Sequence, residues 1–275
     1  MMSEAATSSG NVPARRNRDV AAVQLAARTI WHIVPHDQGT MGNADMQDHG
    51  GYGQFCPVSM ASEIICSRWT TLIVRELLCG STHFNELRRG LPKISPALLS
   101  KRLKELQQAG VIAVERLDNG ATKYRLSEAG EELRPVIIGL GNWAQRWIES
   151  RLSLKNLDPS LLMWDIRRNV QTDHLPRRRS AIQFLYPELP AGRRAWWLVV
   201  EDGTVDVCNF DPGYEIDLVV TTSLRTMTAI WMGLTTVKDE VAAGTLDVEG
   251  DRKIAEPMQD WLGLSIFAKV PRRVQ

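Results

Sequence analysis

A helix is predicted between Pro96 and Gly110, because leucines recur there at helical spacing beneath polar positions. Ser95 and Pro96 are residue types favoured at the N-cap and in the first turn, and Gly110 is typical of a helix end. This pattern predicts one buried stripe under an exposed polar face. The residues of the stripe are Leu99, Leu103 and Leu106.

Two further segments frame this helix. A shorter helix is predicted over Phe84–Gly90, with Thr82 or Asn85 as its cap, and two short helices joined by a tight turn indicate a helix-turn-helix. Downstream, residues 111–117 and 122–126 flank Asp118-Asn-Gly120, and Asn-Gly between such runs favours a β-hairpin. The hairpin would be the wing of a winged helix.

Charge is distributed unevenly along the 275 residues, whose net charge is only +1. Residues 55–155 hold 15 Lys and Arg against 10 Asp and Glu, a net +5, whereas residues 156–275 hold 14 against 17, a net −3. The basic excess therefore coincides with the predicted winged helix, as binding to phosphates requires. No apolar run approaches the roughly 20 residues that span a bilayer, so no membrane partner is expected.

A family resemblance follows from these motifs. Cys56-Pro-Val58, Arg68-Trp-Thr70, Phe84-Asn-Glu-Leu87, Ile94-Ser-Pro96 and Tyr124-Arg-Leu-Ser-Glu-Ala-Gly130 resemble the HxlR-type bacterial transcriptional regulators over about a third of the chain. The resemblance implies a dimeric, winged-helix protein that binds double-stranded DNA at a two-fold symmetric operator, and whose helix from Pro96 enters the major groove. Because Ala97 and Ser100 are shorter than the residues that relatives often carry there, the base preference is open. The four cysteines, which form no Cys-x-x-Cys pair, indicate a cytoplasmic setting.

The resemblance assigns roles along this helix and the wing. Ala97, Ser100 and Lys101 are expected to approach base edges. They lie near the N-terminus of the helix, where Ser95 and Pro96 are also expected to contact DNA. Phosphate contacts are expected from five further basic residues of this helix and the wing. These are Arg102, Lys104, Arg116, Lys123 and Arg125.

A second apolar stripe runs along residues 129–154, where Pro135 predicts a kink or a break into two helices. The stripe exceeds what a small winged-helix core covers, which leaves two uses for it. It pairs two subunits, as terminal helices do in the HxlR-type family, or it packs against this chain's own C-terminal domain.

The C-terminal part has strand periodicity. Residues 181–186, 195–200, 204–210 and 215–221 read as successive strands of a meander, followed by helices, a strand at 245–249 and a last helix through Trp261 and Leu262. The predicted fold class is α+β: a winged helix-turn-helix domain and then a small domain with a mainly antiparallel sheet. The expected boundaries are a flexible arm at 1–54, the DNA-binding domain with its dimerisation helix at 55–152, and the α+β domain at 153–275.

The segment from Asp217 to Asp251 resembles the sterol-carrier-protein (SCP-2-like) domains, chiefly through its Gly-x-Leu-x-Val-x-Gly-Asp run. That resemblance implies an apolar small-molecule ligand held between sheet and helices. The candidate pocket residues are Trp197, Met227, Trp231 and Trp261. Met and aromatic residues at such spacing are also typical of a packed core, and this alternative stays open.

The four cysteines are not spaced as zinc ligands, and the sequence predicts neither a metal nor a cofactor. Cys66 and Cys79 lie in apolar helical segments and are expected to be packing residues. Cys56 precedes Pro57 at the entry to the first helix, where a helix dipole favours a thiolate. It is either a capping or packing residue or, as the resemblance implies for some relatives, a redox-responsive thiol.

The five scattered histidines and the absence of nucleophile-elbow or phosphate-loop motifs argue against an enzyme. The predicted function is therefore sequence-specific transcriptional regulation, modulated by an apolar ligand in the C-terminal domain. Two alternatives stay open. One is a lipid- or small-molecule-binding protein that uses its winged helix for protein interaction, and the other is a redox-responsive regulator acting through Cys56.

Overall fold

A computed structural model describes residues 51–149, 154–155 and 157–274. The arm predicted at 1–54 therefore lies outside the described residues, except for its last four positions. Within the described ranges, no helix is both long enough and apolar enough to cross a bilayer.

The first region is a winged helix that runs from Pro57 to Trp147. It contains a two-stranded antiparallel sheet and a series of helices. These elements are α1 (Pro57–Ile65), α2 (Thr70–Leu78), α3 (Phe84–Gly90), α4 (Pro96–Gln108), β1 (Ile112–Arg116), β2 (Thr122–Leu126), α5 (Glu128–Glu131) and α6 (Arg134–Trp147).

The core of the winged helix is a single apolar cluster that joins α2, α3, α4 and β1. The predicted stripe of α4 is part of it, because its three leucines are all buried. The buried members are Ile73, Val74, Leu77, Leu87, Leu91, Ile94, Leu99, Leu103, Leu106, Val111 and Ile112.

Pro135 breaks the helical run that follows the wing, as the sequence predicts. Ser127 caps α5 by accepting a hydrogen bond from the Gly130 N–H at 3.1 Å. The chain then starts α6 at Arg134, so that Pro135 occupies the first turn, where a proline disturbs no helical hydrogen bond. Two consecutive helices replace one long helix.

Among the described residues, the second region contains a five-stranded sheet and six short helices. Its elements, besides a 3₁₀ turn at Thr172–His174, are α7 (Pro159–Asn169), β3 (Ser180–Leu185), α8 (Ala191–Arg194), β4 (Ala195–Glu201), β5 (Thr204–Cys208), β6 (Leu218–Thr222), α9 (Leu224–Trp231), α10 (Val237–Ala242), β7 (Leu246–Gly250), α11 (Arg252–Ala255) and α12 (Met258–Trp261). The single last helix predicted from the sequence is two helices, α11 and α12.

The predicted meander is wrong at β6. The sheet order is β5-β4-β3-β6-β7, and β6 lies beside β3 in parallel, while the other neighbours are antiparallel. A parallel pair needs a long crossover, which the β4–β5 hairpin and the loop after Cys208 supply. Phe184 is consequently opposite Trp196 on one side and Val220 on the other.

The core of the second region lies between one face of this sheet and the helices α7, α9, α11 and α12. Ile182 and Phe184 are fully buried on that face, whereas the alternate position Gln183 is only partly buried. This alternation is the period of two expected for a sheet that is covered by helices on one side. The second region thus has a two-layer α+β arrangement.

Candidate nucleic-acid interface

The helix-turn-helix is formed by α3 and α4, and the start of α4 is fixed by its cap. The Ser95 hydroxyl accepts a hydrogen bond from the Leu98 N–H at 3.3 Å, and Pro96 follows in the first turn. Burial of the leucine stripe leaves the opposite face of α4 in solvent. Its exposed residues are Ala97, Ser100, Lys101 and Lys104.

The start of α3 differs from the expected capping, because the N-cap is His83 rather than Thr82 or Asn85. The Glu86 carboxylate accepts hydrogen bonds from the Thr82 N–H at 2.7 Å and the His83 N–H at 3.0 Å. Partial burial opposes ionisation, but these donors outweigh it and lower the pKa of Glu86. A charged cap therefore secures the first helix of the pair.

A backbone connection links this cap to the wing. The Tyr124 N–H donates to the Thr82 carbonyl at 2.8 Å, and His83 pairs with Lys123 in an isolated antiparallel bridge. The sequence does not reveal this connection, since a single bridge has no periodicity. It holds β2 beside the start of α3, so the wing and the helix pair form one surface.

The wing tip is closed by the predicted Asn-Gly turn. Gly120 adopts a left-handed φ of 79°, and the Asn119 side-chain oxygen accepts from the Ala121 N–H at 3.0 Å. Arg116 faces Thr122 at the last pair of the ladder and is exposed. A cation is therefore present close to the tip.

The basic residues of this surface are not equally available. Lys104 and Arg116 are exposed and make no ion pair within the described part of the chain. Lys101 is exposed, with its ammonium 3.9 Å from the Glu105 carboxylate. Lys123 is half-buried on β2, and Arg125 is paired with Glu115 at 3.1 Å.

Arg102 is used inside the protein. Its Nε donates to the Arg68 carbonyl at 3.2 Å and its Nη1 to the Glu105 carboxylate at 2.5 Å. The side chain is only 18% exposed, so it joins α4 to the segment before α2. This geometry argues against the phosphate contact predicted for Arg102, because its position on the helix lies at the edge of the buried stripe.

The cysteines are more exposed than the sequence predicts. Cys66 and Cys79 are exposed at the C-caps of α1 and α2, one position beyond each helix, so the expectation that they pack inside is wrong. Cys56 is the N-cap of α1, and its thiol is exposed. Cys208 is partly buried and lies 3.2 Å from the Phe210 carbonyl.

A buried ion cluster joins the winged helix to the second region, and sequence reasoning misses it. Glu76 of α2 is fully buried and accepts from Arg168 of α7 at 2.8 Å and from the Ser81 hydroxyl at 3.2 Å. Arg75 and Asp165 complete the cluster through ion pairs with Glu76 and Arg168. The one sign of this cluster in the sequence is Glu76, a carboxylate that lies between Ile73 and Leu77 on the apolar face of α2.

The ion cluster reaches the turn of the helix-turn-helix through Gly90. A methyl group at Gly90 would lie 1.9 Å from a Glu76 carboxylate oxygen, and the Gly90 carbonyl accepts from Arg75 at 3.2 Å. Although desolvation opposes it, the carboxylates of Glu76 and Asp165 raise the pKa of Arg168. Arg168 therefore stays charged at the junction, next to the residue at which α3 ends.

The four residues predicted to line a ligand pocket are not brought together. Met227, Trp231 and Trp261 are buried in the core, where the Trp261 indole donates to the Ile254 carbonyl at 2.7 Å. Trp197 is opposite Gln183 and so lies on the other face of the sheet. Met227, Trp231 and Trp261 are therefore core residues, which is the alternative to a pocket that the sequence left open.

The described cavities lie elsewhere. One of about 510 Å³ is an open groove along β4 and β5, lined by residues such as Val199, Asp206 and Tyr214. Another of about 440 Å³ lies between α1 and α4, where Glu63, Thr70 and Arg102 contribute to its wall. Neither has the largely apolar lining that a lipid would require.

Known proteins resemble the winged-helix part of this chain. A family model for the HxlR-like helix-turn-helix matches residues 64–152. The uncharacterised HTH-type transcriptional regulator YvaP of Bacillus subtilis is 36% identical over 99 residues, which cover 35% of this chain and 92% of YvaP. YodB, another HTH-type regulator of that species, is 33% identical over 97 residues, which cover 34% of this chain and 87% of YodB.

Among solved structures, the reduced form of YodB is 30% identical, with a TM-score of 0.31, and the match covers 34% of this chain and 93% of that one. These matches cover a third of the present chain and most of each relative. Together, the family model and the nearly full-length match to YvaP show that this chain belongs, through its winged helix, to the HxlR-like helix-turn-helix family.

Proposed function

We propose that this protein is a sequence-specific transcriptional regulator that binds double-stranded DNA as a homodimer. The observation that carries the proposal is the exposed face of α4, which is held over a buried leucine stripe and lies beside a wing that bears Arg116. In this proposal α4 enters the major groove, where Ala97, Ser100 and Lys101 meet base edges. Family relatives are named as transcriptional regulators, in keeping with a binding protein rather than an enzyme.

Phosphate contacts are assigned to the cations that the fold leaves available. Lys104, Arg116 and Lys123 are the main candidates, with Ser95 and Pro96 at the helix start beside them. Arg125 would have to leave Glu115, and Arg102 is left out because of its internal bonds. Phosphate contacts position the protein on the duplex, while base contacts select the sequence.

The homodimer is proposed from α6. Four apolar residues of α6, spaced four, three and four positions apart, form one stripe on the outer side of the helix. Each of them is at least 44% exposed. The opposite side packs within the chain, since Gln145 is buried and donates to the Met232 carbonyl at 3.3 Å. In this proposal the helix serves both predicted uses, with packing inside the chain on one side and pairing of two subunits on the other. Its exposed stripe is Val136, Leu140, Trp143 and Trp147.

The test is a fluorescence-anisotropy titration with duplex DNA from upstream of the protein's own gene, repeated over a range of salt concentrations. The affinity should fall by about 0.9 log units per log unit of salt for each phosphate neutralised. Lys104→Ala should lower that slope by about 0.9, whereas Lys101→Ala should also reduce the preference for the specific duplex over a scrambled one. Lys238→Ala is the matched control, because Lys238 is an exposed lysine on α10.

Absent or salt-independent binding would contradict the proposal. It would favour the alternative in which the winged helix docks a protein and the chain serves as a lipid- or small-molecule-binding protein.

The second region is proposed to be regulatory. Its support is the buried ion cluster, which joins α7 to the residue at which α3 ends, so that a shift of α7 reaches the helix-turn-helix directly. An apolar small molecule, as the SCP-2-like resemblance suggests, would have to open the packed core between sheet and helices. Titration with a fluorescent fatty acid should then change DNA affinity, and saturation without any change would refute ligand control.

Redox control through Cys56 is a second candidate, favoured by the exposure of its thiol at the start of α1. Cys56→Ser should abolish the effect of diamide on DNA affinity and leave reduced binding intact. Cys66→Ser is the control, since that thiol is also exposed and ends the same helix. An unaltered diamide response in Cys56→Ser would exclude this role.

A further inference from the structure

Three arginines from the two regions of the chain lie over one tryptophan, and one of them, Arg168 at 5.7 Å from the ring centre, is already paired with the carboxylates of the ion cluster. The guanidinium carbon of Arg89, on α3, lies 5.4 Å from the centre of the Trp164 ring, and that of Arg167, on α7, lies 4.8 Å from it. Trp164 is 4% exposed. Because α3 is the first helix of the helix-turn-helix, this cluster lies where the second region meets the candidate DNA interface.

The cluster carries excess positive charge. Arg75 and Arg168 are neutralised by the buried carboxylates of Glu76 and Asp165. Arg89 and Arg167 have no carboxylate partner in the described part of the chain. An anion that lies between or beside two like charges offsets their repulsion.

Unpartnered hydrogen-bond donors accompany this charge. The Trp164 Nε1 and Arg167 Nε atoms are both buried and have no hydrogen-bond partner among the described residues. A buried donor without a partner costs free energy that a bound acceptor recovers. Both orphaned groups are donors, so the partner that fits them is an acceptor, and an anion also matches the two guanidinium groups that have no carboxylate partner among the described residues.

We propose that Arg89, Trp164 and Arg167 bind a phosphate group of the DNA backbone, so that the second region contributes directly to the DNA interface. The inference rests on the proposed function and adds a DNA contact from outside the winged helix. Guanidinium groups match phosphate oxygens with paired donors, which makes arginine the preferred side chain for this anion. Arg89 precedes Gly90, at which α3 ends, so the site lies one short turn away from the start of α4.

The experiment compares the salt dependence of DNA binding by the full chain and by Arg167→Gln. Loss of one phosphate contact should lower the slope of log affinity against log salt by about 0.9. Arg89→Gln should lower it by a similar amount, and the double variant by little more than either, because both residues hold the same phosphate. Arg177→Gln is the control for charge alone, since Arg177 is exposed in the same region and makes no ion pair with any described residue.

Folding is checked separately by thermal unfolding, because Arg167 also packs on Trp164. Arg167→Lys keeps the charge and loses the paired donors, so it should retain the slope while weakening binding at every salt concentration. An Arg167→Gln slope equal to that of the wild type overturns the proposal. So does calorimetric binding of inorganic phosphate to the free protein that Arg167→Gln abolishes without any change in the DNA slope, since the anion would then be a free one.

Failure of the two proposals can be told apart. If the wild-type chain does not bind DNA at all, the proposed function and this inference fall together. If the wild type binds with a salt slope that Lys104→Ala lowers and Arg167→Gln does not, only the junction site is refuted.

Discussion

Helices α6 and α9 have similar amphipathic patterns and opposite surroundings. On α9, Leu224, Met227, Ile230 and Trp231 are all buried beneath the sheet. On α6, Trp143 is 60% exposed, although it lies on an equally regular stripe. The second region covers the apolar face of α9, while the apolar stripe of α6 is exposed. An amphipathic pattern therefore predicts an apolar face but not whether the folded chain covers it.

The largest effect is expected in the closed core of the second region. Phe184→Ala removes a fully buried ring between β4 and β6, and it should lower the free energy of unfolding by about 3–5 kcal/mol. Urea denaturation followed by circular dichroism measures the change. Ile266→Ala is the control, because that side chain is 67% exposed and should alter stability by less than about 0.5 kcal/mol. Equal decreases in the free energy of unfolding for the two variants would show that Phe184 does not lie in a closed core.

A slightly smaller effect is expected where the two regions meet. Arg168→Met leaves the fully buried Glu76 without its partner from α7, and it should cost about 3 kcal/mol. Adding Glu76→Gln should restore part of the loss, because the uncompensated charge is then removed. A double-mutant cycle in urea gives the coupling energy. No coupling would mean that the two regions are linked by packing alone.

The exposed stripe of α6 should affect association rather than folding. Trp143→Glu should weaken the proposed dimer by about 2 kcal/mol, roughly 30-fold in the dissociation constant, since central aromatic residues dominate such interfaces. Analytical ultracentrifugation measures the constant. Phe210→Glu is the matched control, an aromatic residue that is 67% exposed in the second region. If both variants weaken association equally, α6 is not the interface.

The smallest effect is expected at the cap of α3. Glu86→Gln loses the charge that accepts from Thr82 and His83, and it should cost about 0.5 kcal/mol because the carboxylate is partly exposed. The pKa of Glu86 is lowered in the folded state, so the wild-type advantage is present above the unfolded pKa of about 4.3 and disappears as pH falls through the folded value. Urea titrations at pH 7 and at pH 3 should show this difference shrinking. If the difference in unfolding free energy between the wild type and Glu86→Gln does not change with pH, its cause is packing rather than the charge of Glu86.

The winged helix is largely predictable because local patterns specify it. The leucine stripe, the Ser95 cap, the Asn-Gly turn and the break at Pro135 each act within a few residues, and the structure has all four. The corrections lie where a neighbour decides the outcome. Arg102 bonds to Arg68, which is distant in sequence, and Cys79 is exposed because it lies just past the end of α2.

The second region is predictable in its strands but not in their order. The apolar residues of β6 suit any buried position in a sheet, so periodicity cannot place β6 beside β3 instead of β5. The ion cluster cannot be predicted from the sequence for a similar reason. Glu76 and Arg168 are 92 positions apart, and only the folded chain makes the pairing apparent.

Gly90 shows how far a position without a side chain can influence a regulator. Its single hydrogen atom leaves the space that the Glu76 carboxylate occupies, and any larger residue must displace that carboxylate from Arg168. In a scan of all substitutions, position 90 should therefore be intolerant although glycine offers no side-chain group that could bind DNA or a ligand. Variants there should keep the residues proposed to read DNA and lose the ion pair between Glu76 and Arg168, so they separate the proposed coupling of the two regions from DNA contact itself.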